Sequence, residues 1–379
     1  MRNRASAILL FLAAMAVPAF ASNTDLPSEG LEQRVDFWKK VYTQYGADDV
    51  IIHDRVHVNL IYDVATSDTQ SEKTTNIKTA LREIQANIET PENLSPEATP
   101  VFQAIVAQGL PVSSVLINDL LDNIHTQLGI KERFRDGVIR SGRYIEQFRQ
   151  IMTNQGVPVE LALLPLVESS FQNVRSKAGA VGVWQFTAGT GRSYMRITSK
   201  VDERLDPVRS SEAAARLMRD NYAALGVWPL AITAYNHGRG GMLQAQKLYG
   251  SDLPTIIDGY RGPVFGYASM NFYSEFIAAV EVYENYPQYF GELALERPDS
   301  LPGNRPIMSA AKTSTAKTST AKSPAKPSPA AVAAAKYKVR SGDTLWDIAK
   351  RFGTSISALM DKNQLNNQAI FAGQILLVK

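Results

Sequence analysis

The sequence predicts a mainly α-helical protein that ends in a separate, much smaller α+β unit, and three observations predict it. Before position 302, apolar residues recur at helical spacing in one segment after another, with Gly and Pro between the segments. Within residues 302–336 the chain becomes, from Ser309, a tract dominated by Ala, Lys, Ser, Thr and Pro. Residues 337–379 change style again, with two short strand-like runs enclosing two helical ones.

In chain order, Arg2 and Arg4 precede an apolar run from Ala5 to Phe20, and Ala19-Phe20-Ala21 reads as a small-x-small cleavage site. That is the layout of a secretory signal peptide over residues 1–21. The run is short and holds Pro18, which argues against a membrane anchor. With no cysteine in the chain, disulfides and lipid attachment at a cysteine after the signal region are both chemically closed. The expectation is an exported protein of the periplasm or cell envelope, soluble rather than lipid-anchored, with no membrane span in its mature form.

Residues 22–135 read as a helical N-terminal region. Leu31, Val35, Trp38, Val41 and Tyr42 keep a 3.6-residue period. Alternation from Val56 to Tyr62 predicts a short strand, and helical patterning resumes at Thr75–Ile88, Pro96–Gln108 and Val115–Leu128. Residues 136–292 form the next unit, helical throughout. Asp206-Pro207 is an N-cap followed by proline in the first turn, opening a helix towards Leu225. Trp228-Pro229 opens another, stopped by Gly238. In the tract at 302–336, Lys312, Lys317, Lys322, Lys326 and Lys336 stand without an acid or an aromatic residue, so it cannot bury enough surface to offset its chain entropy. It is a flexible linker.

Composition excludes some functions. The 40 basic and 37 acidic side chains leave a formal charge of +3, which gives no concentrated basic face for nucleic acid. Only four histidines exist, and no His-Glu-x-x-His motif appears. His53-Asp54 and His57 read as a solvated strand-and-turn face. No metal and no cofactor are expected.

Glu168 carries the chemical signal. It closes the apolar run Leu161-Ala162-Leu163-Leu164-Pro165-Leu166-Val167. Desolvation favours the protonated carboxyl, and a place near a helix C-terminus pushes the same way. Such a group can keep its proton near neutral pH, as a general acid must. On patterning alone, the favoured reading is that Glu168 merely ends the helix at the surface.

Three blocks in order bear on that choice. They are Glu168-Ser169 with Phe171; Ser176 followed by Ala178-Gly179-Ala180-Val181-Gly182-Val183-Trp184-Gln185-Phe186; and Ala234-Tyr235-Asn236-His237-Gly238. Together they resemble the soluble lytic transglycosylases, a branch of the lysozyme-like superfamily, over about Tyr144 to Tyr289. Val201-Asp202-Glu203-Arg204-Leu205-Asp206-Pro207 resembles the membrane-bound D-type subfamily. The sequence departs from the family pattern at Trp184, where methionine is usual, and at His237, where a small residue is usual. A closing Glu-Thr-x-x-Tyr-Val block is represented by Ala268-Ser269-Met270-Asn271-Phe272-Tyr273, without its glutamate and with its tyrosine either replaced by Phe272 or displaced to Tyr273.

The resemblance implies a lysozyme-like helical catalytic domain in which Glu168 is the one catalytic acid/base. Ser169, Ser176, Gln185, Phe186, Tyr235 and Asn236 are then the expected substrate-binding residues, with the Tyr235 hydroxyl offered to the carboxyl or to an acetamido group. The implied reaction cleaves the β-1,4 bond between N-acetylmuramic acid and N-acetylglucosamine in peptidoglycan and leaves a 1,6-anhydro end. Hydrolysis of the same bond, as in a muramidase, and a non-catalytic wall-binding scaffold are the alternatives. Asp202, Glu203, Asp206 and Glu281, the candidates for a second carboxylate, are read as structural.

The final segment runs Tyr337-Lys338-Val339-Arg340-Ser341-Gly342-Asp343-Thr344-Leu345-Trp346, with Phe352-Gly353, Leu359, Asn363 and Gly373-Gln374 following. It resembles LysM, a βααβ module. Gly342, Asp343, Thr344 and Leu345, with Ile370 and Phe371 opposite, are the implied glycan contacts. Peptidoglycan glycan strands are the expected partner of both units.

Overall fold

The structure is a computed structural model that describes residues 26–298 and, in the C-terminal segment, residues 336–339, 348, 351–352, 354, 356–363, 365 and 374–378. The signal peptide expected at 1–21, the linker residues 302–335 and the LysM contacts Gly342, Asp343, Thr344, Leu345, Ile370 and Phe371 lie outside the described residues.

Helices dominate, with small sheets, as the patterning predicts. Helix α1 (Glu32–Thr43) buries Val35, Trp38, Val41 and Tyr42, the stripe that sequence spacing singles out. Three strands follow it, interleaved with helices: β1 (Val50–Asp54), β2 (Ile61–Ala65) and β3 (Ile124–Leu128) form one antiparallel sheet in the order β2-β1-β3. Side chains alternate across the central strand. Ile51 joins the main core, while Val50 and Ile52 join a second core with α2 (Gln70–Ala86), α3 (Ala98–Ala107) and α4 (Ser114–Asp122). The sheet thus separates two apolar interiors.

Two boundaries in this region differ from expectation. The strand read from Val56 to Tyr62 begins only at Ile61, because the Asp54 carboxylate accepts the backbone N–H groups of Val56 (2.8 Å) and His57 (2.6 Å) and turns the chain there. The helix read from Val115 to Leu128 stops at Asp122, and Ile124–Leu128 pairs with β1 instead. His53 is a correction as well. It is fully buried rather than solvated, stacked on Phe37 (4.5 Å) with Nε2 3.2 Å from the Tyr267 hydroxyl.

Helix α5 (Lys131–Ser141) runs through the domain boundary expected at 135/136 and puts Phe134 and Val138 into the main core. It is followed by α6 (Ile145–Gln155), a 3-10 turn (Val159–Leu163), the short α7 (Leu164–Glu168) and α8 (Ala188–Arg192). Helix α9 (Pro207–Leu225) starts where sequence places it: the Asp206 carboxylate accepts N–H of Val208 (2.9 Å) and Arg209 (3.1 Å), and Gly226 closes it at φ 77°. Next come α10 (Trp228–His237), α11 (Arg239–Tyr249), α12 (Leu253–Gly259), α13 (Tyr267–Glu284) and α14 (Tyr286–Phe290). Helix α10 packs between α9 and α13, α1 lies on α13, and α7 is held among α5, the 3-10 turn and α13. No helix among the described residues is long and apolar enough to cross a membrane.

In the C-terminal segment, β4 (Lys336–Lys338) pairs antiparallel with β5 (Ile375–Leu377), and α15 (Ile356–Lys362) packs on β5. Val339, Ile348, Leu359, Leu376 and Val378 are the buried core. Asn363 supplies a two-way clasp: its amide donates to the Leu377 carbonyl (3.0 Å) and accepts from the Leu377 N–H (2.7 Å).

Candidate active site

Glu168 is the last residue of α7, and the chain reverses directly after it. The backbone N–H groups of Ser169 and Phe171 both reach the Pro165 carbonyl, at 3.1 and 3.0 Å, which closes the helix. Ser170 and Phe171 take left-handed conformations, φ 51° and 58°, which non-glycine residues adopt only when surroundings hold them there. The surroundings do so. Arg133 donates to the Ser170 hydroxyl (3.0 Å), Arg140 donates to its carbonyl (2.9 Å), and the Phe171 ring lies 6.1 Å from both Tyr144 and Phe148. Gly137 of α5 lies so close to Ser170 that an added Cβ would sit 3.0 Å from the serine Cβ. The acid therefore sits at the end of a short, firmly anchored helix.

The Glu168 carboxyl is half-buried and has no hydrogen-bond or ion-pair partner among the described residues. Burial pushes its pKa from 4.5 to about 8. A carboxyl so placed holds its proton at neutral pH.

The loop carrying the second block is shaped from behind. Arg204 is buried and makes two bonds to the Asp202 carboxylate (2.8 and 2.7 Å) while donating to the carbonyls of Phe186 (3.1 Å) and Gly179 (3.4 Å). Gly182, at φ 87°, passes so close to the Arg204 carbonyl that a Cβ would collide with it. Gln185 is left-handed at φ 49°, and its amide donates to the carbonyls of Gly182 (2.7 Å) and Val174 (3.0 Å). Trp184, where methionine was expected, is fully buried and donates to the Ser211 hydroxyl (2.6 Å).

Several expected contacts turn away from a ligand. Ser169 is buried, and its hydroxyl donates to the Val183 carbonyl (2.7 Å). Phe186 is buried against Tyr235, 5.9 Å between ring centres, and is wall rather than contact surface. Ser176 caps its own turn by accepting the Ala180 N–H (3.0 Å). Tyr235 is half-buried, and its hydroxyl donates to the Trp184 carbonyl (2.7 Å) rather than to the Glu168 carboxyl, one of the two partners expected for it. Burial first, and the Glu168 charge second, push the Tyr235 phenol well up. Asn236 is exposed, with its side-chain oxygen fixed by the Ser269 hydroxyl (2.9 Å). Phe272 stacks parallel to Tyr235 at 6.4 Å, whereas the Tyr273 hydroxyl bonds the Pro27 carbonyl (2.9 Å). The ring beside Tyr235 is thus Phe272, itself buried.

The suspected second carboxylates are otherwise engaged. Asp202 binds Arg204, Glu203 binds Arg196 (2.9 Å), Asp206 caps α9 and Glu281 pairs with Lys39 (3.0 Å). Sequence reasoning missed a different one. Glu275 of α13 is half-buried beside α7, with its carboxyl raised to about 8 by burial and then by the charge of Glu168. Neither a motif nor a charge cluster marks it. A cavity of about 390 Å³ elsewhere, lined in part by Arg55, His57, Arg261 and Met270, does not include Glu168.

Residues 147–254 match the family described as Transglycosylase SLT domain, and residues 337–379 match LysM domain. Membrane-bound lytic murein transglycosylase D of Escherichia coli (strain K12) is 38% identical over 120 residues, which cover 31% of this chain and 26% of that protein. A putative tributyltin chloride resistance protein of Alteromonas sp. (strain M-1) is 33% identical over 109 residues, 28% of this chain and 53% of its own length. The probable autolysin SsaALP of Staphylococcus aureus (strain NCTC 8325 / PS 47) is 40% identical over 48 residues, covering 13% of this chain and 18% of its own. The chain spans only 26% of the length of the first of these relatives. It nonetheless carries a transglycosylase SLT domain and a LysM domain, and it is related to membrane-bound lytic murein transglycosylase D.

Proposed function

We propose that this chain is a peptidoglycan lytic transglycosylase. The single observation that carries the reading is the Glu168 carboxyl, unpartnered at the end of α7 and raised to about 8. Glu168 gives its proton to the glycosidic oxygen, and the bond from that oxygen to the anomeric carbon of N-acetylmuramic acid breaks. Positive charge at that carbon is met by the substrate's own 2-acetamido oxygen. The carboxylate then takes the proton of the 6-hydroxyl, whose oxygen bonds to the anomeric carbon and closes the 1,6-anhydro ring. Glu168 ends protonated, ready for the next bond. The nucleophiles come from the sugar, so the reaction needs neither a metal nor a cofactor.

In this reading, Tyr235 presents a ring face to the sugar with buried Phe272 stacked behind it, and Asn236 and the free amide oxygen of Gln185 offer polar contacts. Ser169, Ser176 and Phe186 hold the walls. The LysM module, with contacts proposed at Gly342, Asp343, Thr344, Leu345, Ile370 and Phe371, tethers the enzyme to glycan through the 302–336 linker. The similarity to a murein enzyme supports action in the cell envelope, reached by export through the 1–21 signal peptide.

The test is digestion of purified wall sacculi by wild type and Glu168→Gln, read by mass spectrometry of the released muropeptides. Anhydro ends from wild type, with release reduced at least ~10²-fold in the variant, are expected. Products heavier by one water would make the protein a muramidase. Equal release by both proteins would remove Glu168 from the mechanism, and no release by either would leave a wall-binding scaffold.

A further inference from the structure

The half-buried carboxyl of Glu275, beside α7, has no place in a one-acid mechanism. Glu275 lies on α13, which packs on α7, close enough to Glu168 to feel its charge, and its neighbours Phe276 and Ile277 share a core with Leu166. It is half-buried, and like Glu168 it has no hydrogen-bond or ion-pair partner among the described residues. A buried polar group without a partner calls for an explanation.

The groups around it are neutral or of like charge. From α7 it is faced by Glu168; from α1 by Tyr42, whose hydroxyl donates to the Glu275 backbone carbonyl (3.3 Å); and from its own helix by Tyr267. On α10, Tyr235 senses the same Glu168 charge and donates its hydrogen to Trp184. The cations of neighbouring elements are committed elsewhere. Arg34 of α1 bonds the Asn271 side chain (2.9 Å) and the Val56 carbonyl (2.8 Å), Lys39 pairs with Glu281 (3.0 Å), and Arg133 and Arg140 of α5 hold Ser170. Nothing here neutralises a second negative charge.

We infer that Glu275 is a second carboxyl of the same cleft, that it keeps its proton while Glu168 cycles, and that its hydroxyl steadies the Glu168 carboxylate left after the first proton transfer. The inference rests on the transglycosylase reading for the meaning of that transfer. Two carboxyls in one site without a cation cannot both ionise readily, so they titrate as a pair. Once Glu168 has given up its proton, Glu275 is held neutral, and a neutral carboxylic acid in an apolar site is a strong hydrogen-bond donor. It is a positioning residue in this role. A protonated Glu275 also cannot serve as the base that a water nucleophile would need, which leaves the attack to the sugar's own hydroxyl.

Two measurements on the full chain test it. The first is a pH titration of ¹³C-labelled glutamate carboxyls by NMR without substrate. In Glu168→Gln the Glu275 midpoint falls by about one pH unit relative to wild type. An unchanged midpoint, or a wild-type Glu275 that titrates like an exposed glutamate, overturns the pairing whatever the enzyme's activity. The second is wall digestion by Glu275→Leu and Glu275→Gln. Leucine lowers kcat by ~10-fold or more with little change in KM, and glutamine, which restores a neutral donor, recovers most of the loss. Wild-type activity in Glu275→Leu, or an equal loss in both variants, overturns the donor role. If wild type digests nothing, the transglycosylase reading fails, while the titration still decides the pairing.

Discussion

Glu168→Gln is expected to stabilise the protein at alkaline pH while it disables the site. The folded Glu168 carboxyl ionises near 8, against 4.5 for an ordinary glutamate. Between those values the folded chain holds a proton that the unfolded chain has released. Unfolding therefore releases a proton, and stability falls as pH rises through the window. Each pH unit corresponds to about 1.4 kcal/mol, so the interval from 4.5 to about 8 has a ceiling of about 5 kcal/mol. Water at the open side of the half-buried carboxyl reduces this, and roughly 2 kcal/mol is a reasonable expectation. Glutamine has no proton to lose and escapes the penalty.

The assay is urea unfolding of wild type and Glu168→Gln at pH 5 and pH 8.5, followed by helical circular dichroism. The short C-terminal helix α15 contributes little to that signal. Wild type should lose about 2 kcal/mol more than the variant between the two conditions, and the variant should be the more stable protein at pH 8.5. Both proteins, the one with wild-type Glu168 included, carry Glu275→Gln as a common background, because the Glu275 midpoint itself depends on the charge of Glu168. Parallel pH dependences would refute the reasoning, because they would mean that the Glu168 carboxyl is solvated enough to ionise normally.

Three further substitutions separate support from chemistry. Arg204→Ala leaves the Asp202 carboxylate without its bidentate partner and the Phe186 carbonyl without its donor; a loss of ~3 kcal/mol or more in urea unfolding is expected. Tyr235→Phe removes the hydrogen from the Trp184 carbonyl, costing about 1–2 kcal/mol, and muropeptide release should fall as the loop loosens. Asp206→Ala deletes the cap of α9, lowering stability by about 1 kcal/mol with wall digestion per folded molecule retained.

Local chemistry made parts of the fold legible. Asp206-Pro207 and Gly226 mark the ends of α9, and Trp228-Pro229 and Gly238 those of α10, because caps and breakers act within a turn of themselves. Strand β3 was not legible. Ile124–Leu128 follows a helical stripe directly, and its pairing partner β1 lies some seventy residues earlier in the chain, so only tertiary contact decides its conformation. His53 was misplaced for a related reason: its burial comes from Phe37 on α1 and Tyr267 on α13, far apart in sequence. Glu168 was readable because three motif blocks fall in order from its contiguous apolar run onward. Glu275 was not, since its partner in the cleft arrives only when α13 packs on α7.

The geometry also explains why Glu168 should hold a proton at all in a site so rich in donors. The Ser169 hydroxyl points to Val183, the Tyr235 hydroxyl to Trp184, the Gln185 amide to Gly182 and Val174, and the arginines of α5 to Ser170. Any one of these turned towards the carboxyl would stabilise its anion and pull its pKa down. Each instead satisfies a backbone carbonyl or a serine in the strained chain around the acid, where three non-glycine residues adopt left-handed conformations. The same hydrogen bonds thus do two jobs: they hold a strained turn in shape, and by facing away they leave the acid unpaired. On this account, acidity is set by where the neighbouring donors point as much as by how deep the carboxyl lies. A variant that freed one of those donors would lower the pKa of Glu168 without touching Glu168.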